Sequence, residues 1–222
     1  MLNRYRDVDL CKEDIRQFNI LVRKDIGYIS ESDMTSIAKV MIFLKKTYSF
    51  PDANYEHYYN RLISDMICLI HSLGKNSLKG YYTTMRSLIE NFVRVMLKYD
   101  DANATGIRNM FAELRNKMVV NSKEYMDYIE GEYGKCCDIV HSNKQANLPI
   151  YAYYEEIISR DEITEALKSD MLKNLITFYR KIKEFVIMNN SEMVNSAFQN
   201  KKELLSYLIG EKSYNEFEKQ IF

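Results

Sequence analysis

The sequence predicts an all-α protein, an antiparallel helical bundle with additional terminal helices. Three observations carry this expectation. Only seven Gly and two Pro occur in 222 residues, too few for a loop-rich or all-β chain. Apolar residues recur at helical spacing along almost the whole length. No segment alternates apolar and polar residues as a half-buried strand does. With 46% hydrophobic residues the chain has the material for a sizeable core.

The elements follow in order. Ile15, Phe18, Val22, Ile26 and Ile29 mark a first helix. Ser30 with Asp33 reads as a capping box opening a second, with Ile37, Met41 and Leu44 inward, and Pro51 stops it. A third carries Tyr55, Tyr59, Leu62, Met66 and Ile70 and ends near Gly74. Asn76 or Ser77 can cap the fourth, which turns Leu78, Tyr81, Met85, Leu88, Phe92 and Met96 to one side. After a polar break at 100–106, Ile107, Phe111 and Leu114 mark a short helix. Ser122 then caps another, with Tyr125, Ile129, Tyr133, Cys136 and Val140 inward. His141 to Pro149 is the clearest loop. A short helix runs from Tyr151 to Ile158, and Asp161 opens the longest, through Leu167, Leu175, Phe178, Ile182 and Phe185. Met193 to Leu208, with a break near Asn200, and Tyr214 to Ile221 finish the chain. One domain is expected over 1–222: N-terminal helices at 1–50, a core at 51–190 and a C-terminal helical extension at 191–222.

Composition narrows the function classes. Lys plus Arg and Asp plus Glu number 31 each, so no strong overall field draws the chain to nucleic acid or acidic membranes, although a local patch remains open. The start, MLNRYRDVDLCKED, has no apolar run after its basic residues, unlike a secretory signal. The longest apolar runs fall far short of the ~20 residues of a membrane span. The four cysteines form no CxxC pair or disulfide framework, so the expected location is the reducing cytoplasm, with no membrane. There is no Walker loop, GxGxxG turn or serine nucleophile elbow. Three histidines, His57, His71 and His141, and a single acid-x-x-His pair, Asp138 to His141, do not make a di-metal bundle site or a zinc site. No metal and no cofactor is expected. The basic clusters at 45–46, 180–183 and 201–202 read as solvated helix faces.

Two segments carry chemistry. In MRSLIENFVRVML, Arg86, Glu90 and Arg94 stand four residues apart, at ion-pairing distance along a helix. At ~100° per residue Arg86 lies on the border of the apolar face, Glu90 further out and Arg94 opposite the core. The simple reading is a surface ion-pair stripe; the sharper one sends Arg86 into a polar seam between helices. In EYGKCCDIVHSN, His141 closes a helix before the polar loop. A histidine there can interact with the helix dipole alone. With Asp138 one turn back to orient the ring and Lys135 nearby as a cation, it can also serve acid–base chemistry on RNA.

Together the segments YYTTMRSLIENFVRVMLKY (81–99) and YIEGEYGKCCDIVHSN (128–143) resemble HEPN domains, all-α bundles associated with nucleotides and RNA. The resemblance covers about a sixth of the chain. It implies a HEPN-like core and a metal-independent endoribonuclease site shared by two copies of the chain, in the manner of toxins and phage-defence effectors. In that family an Arg, four to six residues and a His form the motif. The histidine moves protons and the arginine stabilises the phosphorane-like charge as the ribose 2′-OH attacks. His141 matches; Lys135 stands where the motif has Arg, so Lys135 or Arg86 would supply the cation. Arg115, followed by Asn121, starts such a motif without its histidine. The implied catalytic set is His141, Lys135, Arg86, Asp138 and Glu90, with Ser142, Asn143 and Arg94 touching substrate. The implied partners are a second copy of the chain, RNA or a nucleotide, and an antitoxin or defence-system subunit. The alternative is a catalytically inactive helical module that binds or regulates a partner protein through a Tyr/Met-rich helix face.

Overall fold

Apolar stripes at a 3.6-residue repeat can be buried only helix against helix, and the computed structural model, which describes residues 5–27, 29–49, 53–141 and 148–221, is all helical. The helices are α1 (Arg6–Ile26), α2 (Glu31–Tyr48), α3 (Glu56–Gly74), α4 (Leu78–Leu97), α5 (Ile107–Lys117), α6 (Lys123–Val140), α7 (Ile150–Asp161), α8 (Glu165–Asn189), α9 (Ser191–Ala197), α10 (Lys202–Ile209) and α11 (Glu211–Ile221). A short 3₁₀ turn, Val120–Ser122, leads into α6. No strand occurs among the described residues; an isolated bridge pairs Ser77 with Glu162.

The helix α4 lies at the centre. Three residues join it to α3, so the two form an antiparallel hairpin, and its other side packs on α6. Leu88, Ile89, Phe92, Val93 and Val95 are fully buried there. The longest helix, α8, spans from α6 to α2 and inserts Phe178, Tyr179, Ile182, Phe185 and Val186. The terminal helices share this core: α10 packs on α1 and α2, and one apolar cluster runs from Val8 to Phe217.

Several helix ends differ from expectation, each for a local reason. Gly27, with φ +84°, ends α1 before Ile29, and its N–H bonds to the Arg23 carbonyl. Ser30 spends its hydroxyl on Ser32 instead of capping α2. The Ser122 hydroxyl donates to the Val119 carbonyl, which tightens the 3₁₀ turn, and does not cap α6. Ser77 does cap α4, accepting from the Gly80 N–H. Asp161 ends α7 instead of opening α8. Its carboxylate accepts from the Lys79 N–H at 2.5 Å and the Ser77 hydroxyl at 3.1 Å, at the start of α4, while Thr164 caps α8. Met193 and Leu208 fall in two helices, α9 and α10, separated around Asn200. The proposed stop at Pro51 lies outside the described residues; α2 ends at Tyr48. No described helix is long and apolar enough to cross a membrane.

Candidate active site

The third and fourth turns of α4 and the last turns of α6 meet at the surface. On α4, Met85, Leu88 and Ile89 face the core, which leaves Arg86 and Glu90 on the flank towards α6. On α6, Ile129, Tyr133 and Cys136 are buried, so Tyr133 presents its hydroxyl at the same flank. His141, the residue at which α6 closes, is exposed beside them.

These four side chains form one network. The Nε–H of Arg86 points to Tyr133 Oη at 3.2 Å and to Glu90 Oε1 at 3.3 Å. The Tyr133 hydroxyl donates to the same Glu90 oxygen at 2.8 Å. On the other edge of the guanidinium, Nη1 lies 3.1 Å from His141 Nε2. Arginine has no acceptor, so Nη1 donates and Nε2 accepts; the neutral imidazole then carries its proton on Nδ1. The hydrogen bond from Arg86 to Tyr133 holds the guanidinium above its usual pKa, with the Glu90 charge acting in the same direction. Burial, and then the bond to Glu90, push the Tyr133 phenol up, with Arg86 pulling the other way. Tyr133 therefore stays a neutral donor to Glu90 throughout the physiological range. Behind it, Cys136 is pushed up to about 12, first by burial, so it is an inert thiol. All four cysteines are free.

The structure thus brings Arg86, Glu90 and His141 together and adds Tyr133, which periodicity assigned to the core. That assignment holds for the ring, which packs edge-on against Phe111 at 5.5 Å; the hydroxyl at its far end reaches the site. A tyrosine two turns before a helix-closing histidine was the available signal. Arg86 takes the sharper of its two expected positions, in a seam between helices.

The other expected residues lie elsewhere. Lys135 is exposed and pairs with Glu132 at 2.6 Å. Its distance from His141 along α6, six residues or ~600°, turns it well away from that face. Asp138 is exposed, and none of the four network contacts involves it. Arg94 is not opposite the core. It is half-buried over the Tyr58 ring at 4.9 Å and donates to the carbonyls of Asn103 and Thr105, pinning the connection to α5. Arg115 clamps Asp127 and Glu130 of α6. Ser142 and Asn143 lie outside the described residues. Among the described residues no three His, Cys, Asp or Glu side chains group as metal ligands.

The network suits phosphoryl chemistry. Its Nε edge is held by two acceptors, and its Nη1 edge faces an exposed imidazole. A phosphate drawing on Nη1 would release the Nε2 lone pair for a proton. Comparison with known proteins finds no counterpart: no family model, curated protein or solved structure matches this chain.

Proposed function

We propose that the chain is a HEPN-like domain that cleaves RNA without a metal ion, as a homodimer in which two such sites face each other. The observation that carries this reading is the 3.1 Å contact between Arg86 and His141 at the protein surface. In the reaction, His141 Nε2 takes the proton of the ribose 2′-OH as its oxygen attacks the adjacent phosphorus. The bond to the 5′-oxygen breaks, and that oxygen takes a proton from a second acid, the imidazolium of the facing copy. The products are a 2′,3′-cyclic phosphate and a 5′-hydroxyl. Arg86 stabilises the charge on the non-bridging oxygens, and Glu90 and Tyr133 orient Arg86. Lys135, Asp138 and Arg94 have no part in this mechanism.

The test is incubation of purified protein with total tRNA in EDTA. Cleavage that survives chelation, leaves cyclic phosphate ends, and falls at least a hundredfold in His141→Ala and Arg86→Ala supports the reading. No cleavage, or cleavage indifferent to His141→Ala, overturns it. A monomer mass by light scattering at micromolar concentration overturns the facing-site arrangement.

One observation favours a second reading, a non-catalytic module that binds a partner protein. Helix α7 has no buried residue, and Ile150, Tyr151, Tyr154 and Ile158 are 86, 72, 65 and 54% exposed along one stripe. An apolar face of this kind marks an interaction surface in a folded protein. This reading predicts an RNA-inactive protein whose role is lost in Tyr154→Asp/Ile158→Asp and kept in His141→Ala.

A further inference from the structure

A cavity of about 340 Å³ opens between α2, α8 and α10, and it shares no residue with the Arg86–His141 network. Its lining includes Lys39, Arg180 and Lys183 and no carboxylate. Lys183 is buried and already committed: its ammonium donates to the Ile209 carbonyl at 3.0 Å and pairs with Glu184 at 3.1 Å. Lys39 and Arg180 have no carboxylate partner among the described residues. Lys39 lies instead over the Tyr207 ring at 3.8 Å. Burial pushes the Lys39 ammonium below its usual pKa; Cys11 pulls it partly back up, and Lys183 and then Lys12 add lesser pushes down. A cation held in that way gains from an anion beside it. The lining also includes the buried Ile37, Val40 and Leu208, which we take as its apolar floor, with the partly buried Ile176.

We propose that this cavity binds a small organic phosphate monoester, its phosphate on Lys39 and Arg180 and its apolar body on the Ile37–Leu208 floor. Two uncompensated cations match a dianion better than a monocarboxylate. The volume is in the range of small-molecule sites, well beyond what one phosphate fills. The apolar floor distinguishes this ligand from bare phosphate, and disfavours a sugar phosphate, whose hydroxyls would lie against Ile37, Val40 and Leu208 side chains that offer no hydrogen bond.

The experiment is calorimetric titration of the full chain with phenyl phosphate, glucose 6-phosphate and inorganic phosphate at low salt. Phenyl phosphate is expected to bind at least tenfold more tightly than the other two. Lys39→Met and Arg180→Met, verified as folded by circular dichroism, each weaken it at least tenfold, the effect of one charge-assisted hydrogen bond. His141→Ala binds as the wild type does, which separates this site from the proposed RNA site. Inorganic phosphate binding as tightly as phenyl phosphate overturns the role of the floor. No binding at 10 mM (about thirtyfold above a Kd of about 0.3 mM), folded Lys39→Met and Arg180→Met variants that bind normally, or loss of binding in His141→Ala overturns the proposal.

Discussion

Arg86 serves three partners with one guanidinium, and that geometry decides what its replacements do. Lysine keeps the charge but not the planar fork, so Arg86→Lys cannot satisfy Glu90, Tyr133 and His141 together. It is expected to lose about 1–2 kcal/mol in urea denaturation and most of the proposed RNA cleavage. Tyr133→Phe leaves the ring on Phe111 and removes only the hydroxyl that ties Glu90 to Arg86. Its expected cost is about 1 kcal/mol, and a double-mutant cycle with Arg86→Ala should return a coupling of about 0.5–1 kcal/mol; additive losses would show that the hydroxyl and the guanidinium act apart. The pairing of Arg86 with Glu90 was legible because both stand on one helix at a fixed spacing. The contacts with Tyr133 and His141 were not, because they cross from α4 to α6 over 47 and 55 residues, and no local pattern encodes which helix lies alongside which.

The helices were legible nearly throughout, since the 3.6-residue repeat that predicts a helix is also what buries it. Their ends were less so. A Ser or Asp before an apolar stripe is a candidate cap, but its side chain goes to whichever hydrogen-bond partner lies nearest, whether a chain neighbour or a distant segment. Ser30 turned to Ser32, Ser122 to Val119, and Asp161 to Ser77, the capping residue of α4, 84 residues earlier. Asp161 satisfies the exposed N–H of Lys79 and places negative charge at the positive end of α4. Asp161→Ala is therefore expected to cost about 1–2 kcal/mol and to speed hydrogen exchange at the Lys79 amide. Thr164→Ala, which removes the cap of α8, is expected to cost about 1 kcal/mol and to leave exchange at Lys79 unchanged.

At the scale of the whole molecule, balanced charge leaves stability against pH to individual carboxylates. Arg16 and Gln17 hold Glu13 at about 2, His71 lowers Asp25, and Lys117 and Tyr99 lower Glu113. Each is depressed in the folded state, so each stabilises above its unfolded value and loses that contribution as pH falls through the folded one. Burial raises Asp65, which runs the other way: its contribution is present at low pH and lost as pH rises. With three groups against one, the melting temperature followed by circular dichroism is expected to fall between about pH 4.5 and 2. The all-α class was legible at this scale from the scarcity of Gly and Pro and the helical spacing of apolar residues together; the central place of α4 was not, because amphipathic stripes say what is buried without saying against what. The carboxylate that fastens the front of α4 belongs to the junction of α7 and α8. On the ribosome, where the chain emerges in order, Ser77 can cap the central helix at once, but the Lys79 amide waits for its carboxylate until residue 161 clears the exit tunnel. The last third of the polypeptide thus completes the first turn of a helix made in its first half.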